Sequence, residues 1–131
     1  QRDAAIHDPE FDGYFDVVLL DAPCSGLGQT QDKPDIRYAK SGADIESLVA
    51  LQARLLDATM PYVRPGGLLL YATCTISPRE NEAQAEAFLK RHPNFQLEPM
   101  RLPIQNDGML QLFPNLHGTN GFFMARFKQC T

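Results

Sequence analysis

The 131 residues contain no tryptophan, only three cysteines and only three histidines. Cys24, Cys74 and Cys130 are odd in number and widely spaced, so they make neither a disulfide framework nor a Cys-x-x-Cys zinc pattern. That usage points to a reducing, cytoplasmic setting. His7, His92 and His117 sit in polar or Pro/Gly-flanked segments without ligand spacing, and no metal is expected. No apolar run approaches the roughly 18 residues that a membrane span requires, and no basic-then-apolar leader opens the chain. No membrane association is therefore expected. Positive charge is also short, with 12 Lys and Arg against 16 Asp and Glu and a net charge of −4. Phosphate contacts need a basic surface, so this balance weighs against nucleic-acid binding by these residues alone. Internal repeats and low-complexity tracts are absent.

What remains is ordinary globular material, 44% hydrophobic and 21% charged, sized for one domain around one core. The opening QRDAAIHDPE begins with Gln1 rather than Met and reads as an internal cut in something longer. In 14-YFDVVLLDAP-23 five successive apolar or β-branched positions precede a proline, which predicts a strand buried on both faces. The segment CSGLGQTQDKPD then reads as loop, with Gly26, Gly28 and Pro34 as breakers. Ile45, Leu48, Val49, Leu55 and Leu56 share helical spacing between Asp44 and Val63, closed by Pro61 and Pro65-Gly66-Gly67. A second buried strand is expected at 68-LLLYATC-74.

Ser77-Pro78-Arg79-Glu80 reads as a capping box: serine at the cap, proline at the first helical position, glutamate three residues after the cap. It predicts a helix over 78–91 that stops at His92-Pro93. On this reading Glu80 and Asn81 cap the helix rather than touch a substrate. A short strand near 95–100, a hairpin signal near 109–113 and a last strand over 121–129 complete an α/β pattern. One of Phe122 and Phe123 is expected in the core. In open α/β sheets ligands bind beyond the carboxyl ends of the strands, where Cys24 and Cys74 both fall. Taken singly, each cysteine reads as well as a small buried filler. Taken together, on adjacent parallel strands about 4.8 Å apart, they would bring two thiols to one cleft, with sulfurs within roughly 10 Å. Cys74 would also lie near a helix N-terminus, which favours thiolate.

Asp21-Ala22-Pro23-Cys24-Ser25-Gly26, followed by Tyr71-Ala72-Thr73-Cys74-Thr75 and Pro78-Arg79-Glu80-Asn81-Glu82, resembles the RNA (cytosine-5) methyltransferase family, most closely its Sun (Fmu) branch acting on 16S ribosomal RNA. The segment 33-KPDIRY-38 and the terminal Gly121-Phe122-Phe123 also resemble that pattern. The resemblance implies that residues 1–131 form the C-terminal half of a Rossmann-like class-I methyltransferase fold. The sheet would be mostly parallel with an antiparallel last strand, contributing strands 4-5-7-6 of a 3-2-1-4-5-7-6 parent order. It implies that Cys74 adds to carbon 6 of cytosine, that Cys24 assists proton removal and release, and that Asp21 sits between methyl donor and base. Asp21, Ala22 and Pro23 would contact S-adenosylmethionine. The family's glycine-rich cofactor loop and ribose-binding acid are not among these residues, so the segment alone is expected to be inactive. The implied partner is RNA, ribosomal by the closest branch, and a transfer-RNA substrate is the alternative. The first strand would lose its sheet partner and leave an exposed apolar edge open to a dimer.

Thr75 stands where the family commonly has Ser, and Arg79 where it commonly has Glu. A non-catalytic binding module with structural cysteines remains a rival. A DNA cytosine methyltransferase is disfavoured because that family lacks the Thr-Cys partner. A cysteine hydrolase would need a histidine at a strand end. Arg37 is a candidate phosphate contact or a partner of Asp35; Lys33, Lys40 and Arg54 read as solvated charges, and Cys130 has no role.

Overall fold

A computed structural model describes residues 1–29 and 42–130. Its principal elements are β1 (Phe15–Asp21), α1 (Gly42–Thr59), β2 (Val63–Thr73), α2 (Glu82–Arg91), β3 (Phe95–Leu97), β4 (Met109–Leu112), α3 (Pro114–His117) and β5 (Phe122–Gln129). They build one sheet in the order β1-β2-β5-β3, with β4 also on β5. β1 and β2 are parallel, Leu20 lying opposite Tyr71 and Asp21 opposite Ala72. β5 is antiparallel to β2, β3 and β4, so it alone runs against the other four. β3 and β4 meet successive stretches of β5, Leu97 at Phe127 and Met109 at Ala125, and together act as one interrupted outer strand. The expected 4-5-7-6 order, with the last strand inserted antiparallel, is the order found.

The alternation of β5 explains its central place. Phe123, Ala125 and Phe127 point to one face and are buried, while Phe122, Met124 and Arg126 point to the other and are half-buried. The first face carries the core. Leu20, Leu69, Tyr71 and the three buried β5 residues pack under Leu55 and Leu56 of α1 and Ala85 and Phe88 of α2. The Phe88 ring lies 4.8 Å from that of Phe127 and 5.3 Å from that of Phe95. Helix α1 stops before the expected Val63. Pro61 has no N–H to continue the ladder, and the chain tightens into a single turn of 3-10 helix at Met60–Tyr62 before entering β2.

The opposite face corrects the expectation that β1 is buried on both sides. Val17 is 50% and Leu19 66% exposed, and no helix among the described residues covers them. An apolar run shows that a strand wants cover, not that this stretch of chain supplies it. A groove of about 690 Å³ on that face is lined by Val17, Leu19, Leu70, Met100, Phe122 and Met124, and by neither cysteine. The outer edge of β1 is unpaired among the described residues. No described helix is long and apolar enough to cross a membrane.

The start of α2 is a second correction. The capping box predicted helix from Pro78, yet residues 78–81 form turns and α2 begins at Glu82. Its N-cap, Asn81, makes no side-chain capping bond. The far end matches expectation: the His92 N–H donates to the Phe88 carbonyl and the helix stops before Pro93.

Candidate active site

Parallel pairing sends the ends of β1 and β2 out at one edge. The Ala22 N–H continues the ladder by donating to the Ala72 carbonyl at 2.9 Å, and both cysteines lie just beyond. The Cys24 and Cys74 sulfurs are 3.1 Å apart, well inside the expected 10 Å, and the Cys74 N–H donates to the Cys24 sulfur at 3.3 Å. Both are free, half-buried thiols. Burial, then the hydrogen bond to the Cys74 sulfur and that neighbour's charge, push the Cys24 thiol from its ordinary 9.0 up to about 12, against the opposing pull of the Cys74 and Gly26 N–H groups. Cys24 is therefore held as a thiol near neutral pH, placed to hydrogen-bond the second sulfur.

Asp21 ends β1 with an exposed carboxylate that has no partner among the described residues. Ala22 is buried beneath it, and Pro23 is exposed, its carbonyl accepting from Gln52 Nε2 at 2.9 Å. These three residues make a lip beside the cysteine pair. The structure thus brings Asp21, Ala22, Pro23, Cys24 and Cys74 to one edge. Cys130 is exposed past the far end of β5, its N–H on the Asn94 carbonyl at 2.7 Å. Lys33, Arg37 and Lys40 lie outside the described residues. The Phe122/Phe123 pair divides as expected, with Phe123 in the core. His92 meets Asp57 at 2.7 Å and His7 stacks on Tyr62; among the described residues no group of three or more His, Cys, Asp or Glu is placed to hold a metal.

Sequence reasoning missed the scaffold behind the thiols. Glu80, assigned to a helix cap, is fully buried, and its carboxylate accepts from the Ser25 N–H at 2.8 Å, the Ser25 hydroxyl at 2.7 Å, Gln52 Nε2 at 3.1 Å and the Thr75 hydroxyl at 3.2 Å. The Tyr71 hydroxyl donates to the Glu80 carbonyl at 2.7 Å; burial, then the charges of Glu80 and Cys24, push its ionisation upward. Gln84 extends the network, donating to Gln52 Oε1 at 3.2 Å and to the Val49 carbonyl at 2.9 Å. One signal for this was legible: Gln52 interrupts the apolar stripe of α1, three and four residues before Leu55 and Leu56.

A backbone brace completes the edge. The Gly28 N–H donates to the Cys74 carbonyl at 3.1 Å, and the Gly121 N–H donates to the Gly28 carbonyl at 2.6 Å. A Cβ on Gly28 would overlap the Gly121 carbonyl and crowd that of Cys74. Only glycine lets three backbones approach this closely.

Residues 1–128 match the family model for the 16S rRNA methyltransferase RsmB/F. The chain is 43% identical over 121 residues to a probable ribosomal RNA small subunit methyltransferase B of Synechocystis, covering 87% of this chain and 27% of that protein. It is 46% identical over 116 residues to ribosomal RNA small subunit methyltransferase B of Photorhabdus laumondii, covering 88% and 26%. The crystal structure of PH0851 superposes with a TM-score of 0.91 at 37% identity, over 98% of this chain and 30% of that one. NSun6 from Pyrococcus horikoshii, solved with SFG, superposes with a TM-score of 0.80 at 28% identity, over 100% and 34%. The chain therefore spans about a quarter of the length of these curated relatives.

Proposed function

The chain belongs to the RsmB/F family of 16S rRNA methyltransferases, and from that premise we propose that the protein methylates carbon 5 of a cytosine in ribosomal RNA through a covalent bond between Cys74 and the base. The observation that carries this reading is the pair of sulfurs 3.1 Å apart at the carboxyl edge of two parallel strands. Carbon 5 of cytosine is a poor nucleophile until a thiolate adds to carbon 6, and that addition requires one sulfur to lose its proton while a neighbour stabilises it. Cys24, held as a thiol, is the neighbour.

The methyl donor is S-adenosylmethionine, which supplies an electrophilic methyl group when bound. SFG, carried by the NSun6 relative, is an analogue of it. The residues present fit one wall of such a site: Asp21 offers an exposed carboxylate to a cationic ligand, and Ala22 and Pro23 give it a stiff apolar floor. The glycine-rich loop that the family places earlier in the chain is not among these residues, so most of the donor site would be built by other parts of the protein.

The residues of this chain act in sequence. The Cys74 thiolate bonds to carbon 6, and the electron pair displaced onto the ring makes carbon 5 nucleophilic. Asp21 would accept a hydrogen bond from the amino group at the base edge, which orients the ring against Cys74. Once the Cys74 sulfur is tied to carbon, it no longer hydrogen-bonds Cys24 as a thiol or opposes it as a charge, and two of the causes that hold Cys24 protonated are gone. Cys24 then loses its own proton to solvent and, as a thiolate, takes the proton from the methylated carbon 5; the bond from carbon 6 to sulfur breaks, and Cys74 leaves as thiolate. The test is to incubate the full-length protein with unmodified 16S rRNA and isotopically labelled donor, then digest the RNA and identify the labelled nucleoside by mass. 5-Methylcytidine is expected. Label on another nucleoside, or on transfer RNA alone, would overturn the reading.

A further inference from the structure

The residue after each cysteine is held by the same buried group. Ser25 follows Cys24 and gives Glu80 both its N–H and its hydroxyl; Thr75 follows Cys74 and gives its hydroxyl to the same carboxylate. The Ser25 and Thr75 hydroxyl oxygens also lie 2.8 Å apart, so one of their two protons is shared between the other hydroxyl and the carboxylate. With Gln52 added, four donors meet two oxygens, which uses the acceptor capacity of a carboxylate. The next residue, Asn81, holds only the Cys74 side. Its Oδ1 accepts from the Thr73 hydroxyl at 2.5 Å, and its Nδ2 donates to the Thr75 carbonyl at 2.9 Å and to Gln111 at 2.7 Å. Glu80 and Asn81 therefore divide the work: one spans the two cysteine segments, the other frames Cys74 alone.

A buried carboxylate is costly unless fully hydrogen-bonded, and a surface cap would have satisfied this side chain at far lower cost. We propose that Glu80 is a positioning residue that sets the approach of Cys24 to Cys74, so that without its carboxylate Cys74 still bonds the base while Cys24 no longer reaches to resolve the adduct. The inference rests on the covalent reading above, and two readouts separate the two. Proximity is measured without RNA, using phenylarsine oxide. Its arsenic bonds two sulfurs at once and its oxygen leaves as water with both thiol protons, so nothing is oxidised or reduced. Function is measured as the ratio of covalent protein–RNA complex to methylated product.

The full-length protein is compared with its Glu80→Ala, Glu80→Gln, Ser25→Ala and Asn81→Ala forms, with Cys24→Ser defining background arsenical binding. Glu80→Ala is expected to weaken arsenical binding by about tenfold, as a second, intramolecular bond loses effective concentration, and to raise the ratio of complex to product. Glu80→Gln keeps the shape and one acceptor and should recover much of both. Ser25→Ala should move both in the Ala direction by less. Asn81→Ala should instead lower complex and product together. If Glu80→Ala does not fold, the Gln and Ser25 variants carry the test. Folded variants with unchanged arsenical binding and an unchanged ratio would reduce Glu80 to a structural group and overturn the proposal. Wild-type protein that fails to bind the arsenical above background would overturn it too. Weakened arsenical binding, with no RNA complex in any variant including Cys24→Ala, would sink the cytosine chemistry while leaving the positioning of the sulfurs in place.

Discussion

The loop after β1 and the turn after β2 bring their cysteines to one point, yet they hold them in different ways. The Cys24 loop is pinned from outside itself, by Gln52 at the Pro23 carbonyl and by Glu80 at Ser25. Its sulfur receives the Cys74 N–H and faces the second sulfur, and burial keeps it protonated. Cys74 instead directly follows the last residue of β2. Its neighbours Thr73 and Thr75 are gripped by Asn81, and its carbonyl is fixed by Gly28. One thiol is placed by a loop tied to α1 and to Glu80, the other by the end of a strand. The difference would suit the two proposed roles: a nucleophile must meet a ring atom within tenths of an ångström, whereas a proton acceptor needs only to arrive within hydrogen-bond reach.

The sharpest way to break that comparison is to remove each sulfur. Cys74→Ala is expected to lower methyl transfer by about 10⁴-fold or more and to leave no covalent complex, since in the proposed mechanism carbon 5 reacts only after the Cys74 thiolate has added to carbon 6. Cys24→Ala should lose less of the first step. Bond formation to carbon 6 continues while breakdown slows, so complex accumulates and survives a denaturing gel. Were both cysteines structural fillers, each change would cost about 1–3 kcal/mol of stability through a cavity and neither would trap RNA. A trap formed by Cys74→Ala instead would exchange the two roles.

A smaller effect separates the two supports. Gly28→Ala places a methyl group against the Gly121 carbonyl and near that of Cys74, neither of which is the movable end of a side chain. The backbone has to shift, at about 1–3 kcal/mol in unfolding by denaturant, and the shift falls on the Cys74 side. Complex and product should fall together, unlike the response to Cys24→Ala. A Gly28→Ala protein that accumulates complex would show that the brace serves the other thiol.

The same contrast marks what could be read in the sequence. The parallel pair and the meeting of the cysteines were legible, because apolar runs ending at Asp21 and Thr73 fix two strand ends and α/β topology places them side by side; the strand order followed from the family resemblance. Ser77-Pro78-Arg79-Glu80 was misread for a reason of scale. A capping box is local chemistry, and here partners 55 and 28 residues away, Ser25 and Gln52, take the glutamate from its own helix. The exposed side of β1 escaped because Val17 and Leu19 state a need for cover without saying where it comes from. Gln52 was within reach, as a polar residue set in an apolar helical stripe. The Gly28–Gly121 contact was not, since nothing in the sequence links residues so far apart.

The smallest expected effect is on pH. Because the folded protein raises the Cys24 thiol above its ordinary 9.0 to about 12, its neutral form is the one the fold favours. The stabilisation is fully present below about pH 9 and is lost as pH climbs through the folded value, the reverse of a paired carboxylate. Two measurements follow from the sign. Alkylation of Cys24 by iodoacetamide, located by peptide mass, should stay slow at pH 8 compared with exposed Cys130, and should accelerate only well above pH 9. The unfolding midpoint in denaturant should also drift downward between pH 9 and 11, by less in Cys24→Ser than in wild type. Cys74→Ala removes both the sulfur that hydrogen-bonds Cys24 and the charge that opposes it. In that variant burial alone keeps the thiol protonated, and the onset of alkylation should move to lower pH. An onset that stays in place would mean the two sulfurs do not sense each other, and the division of labour between the segments would lose its electrostatic basis.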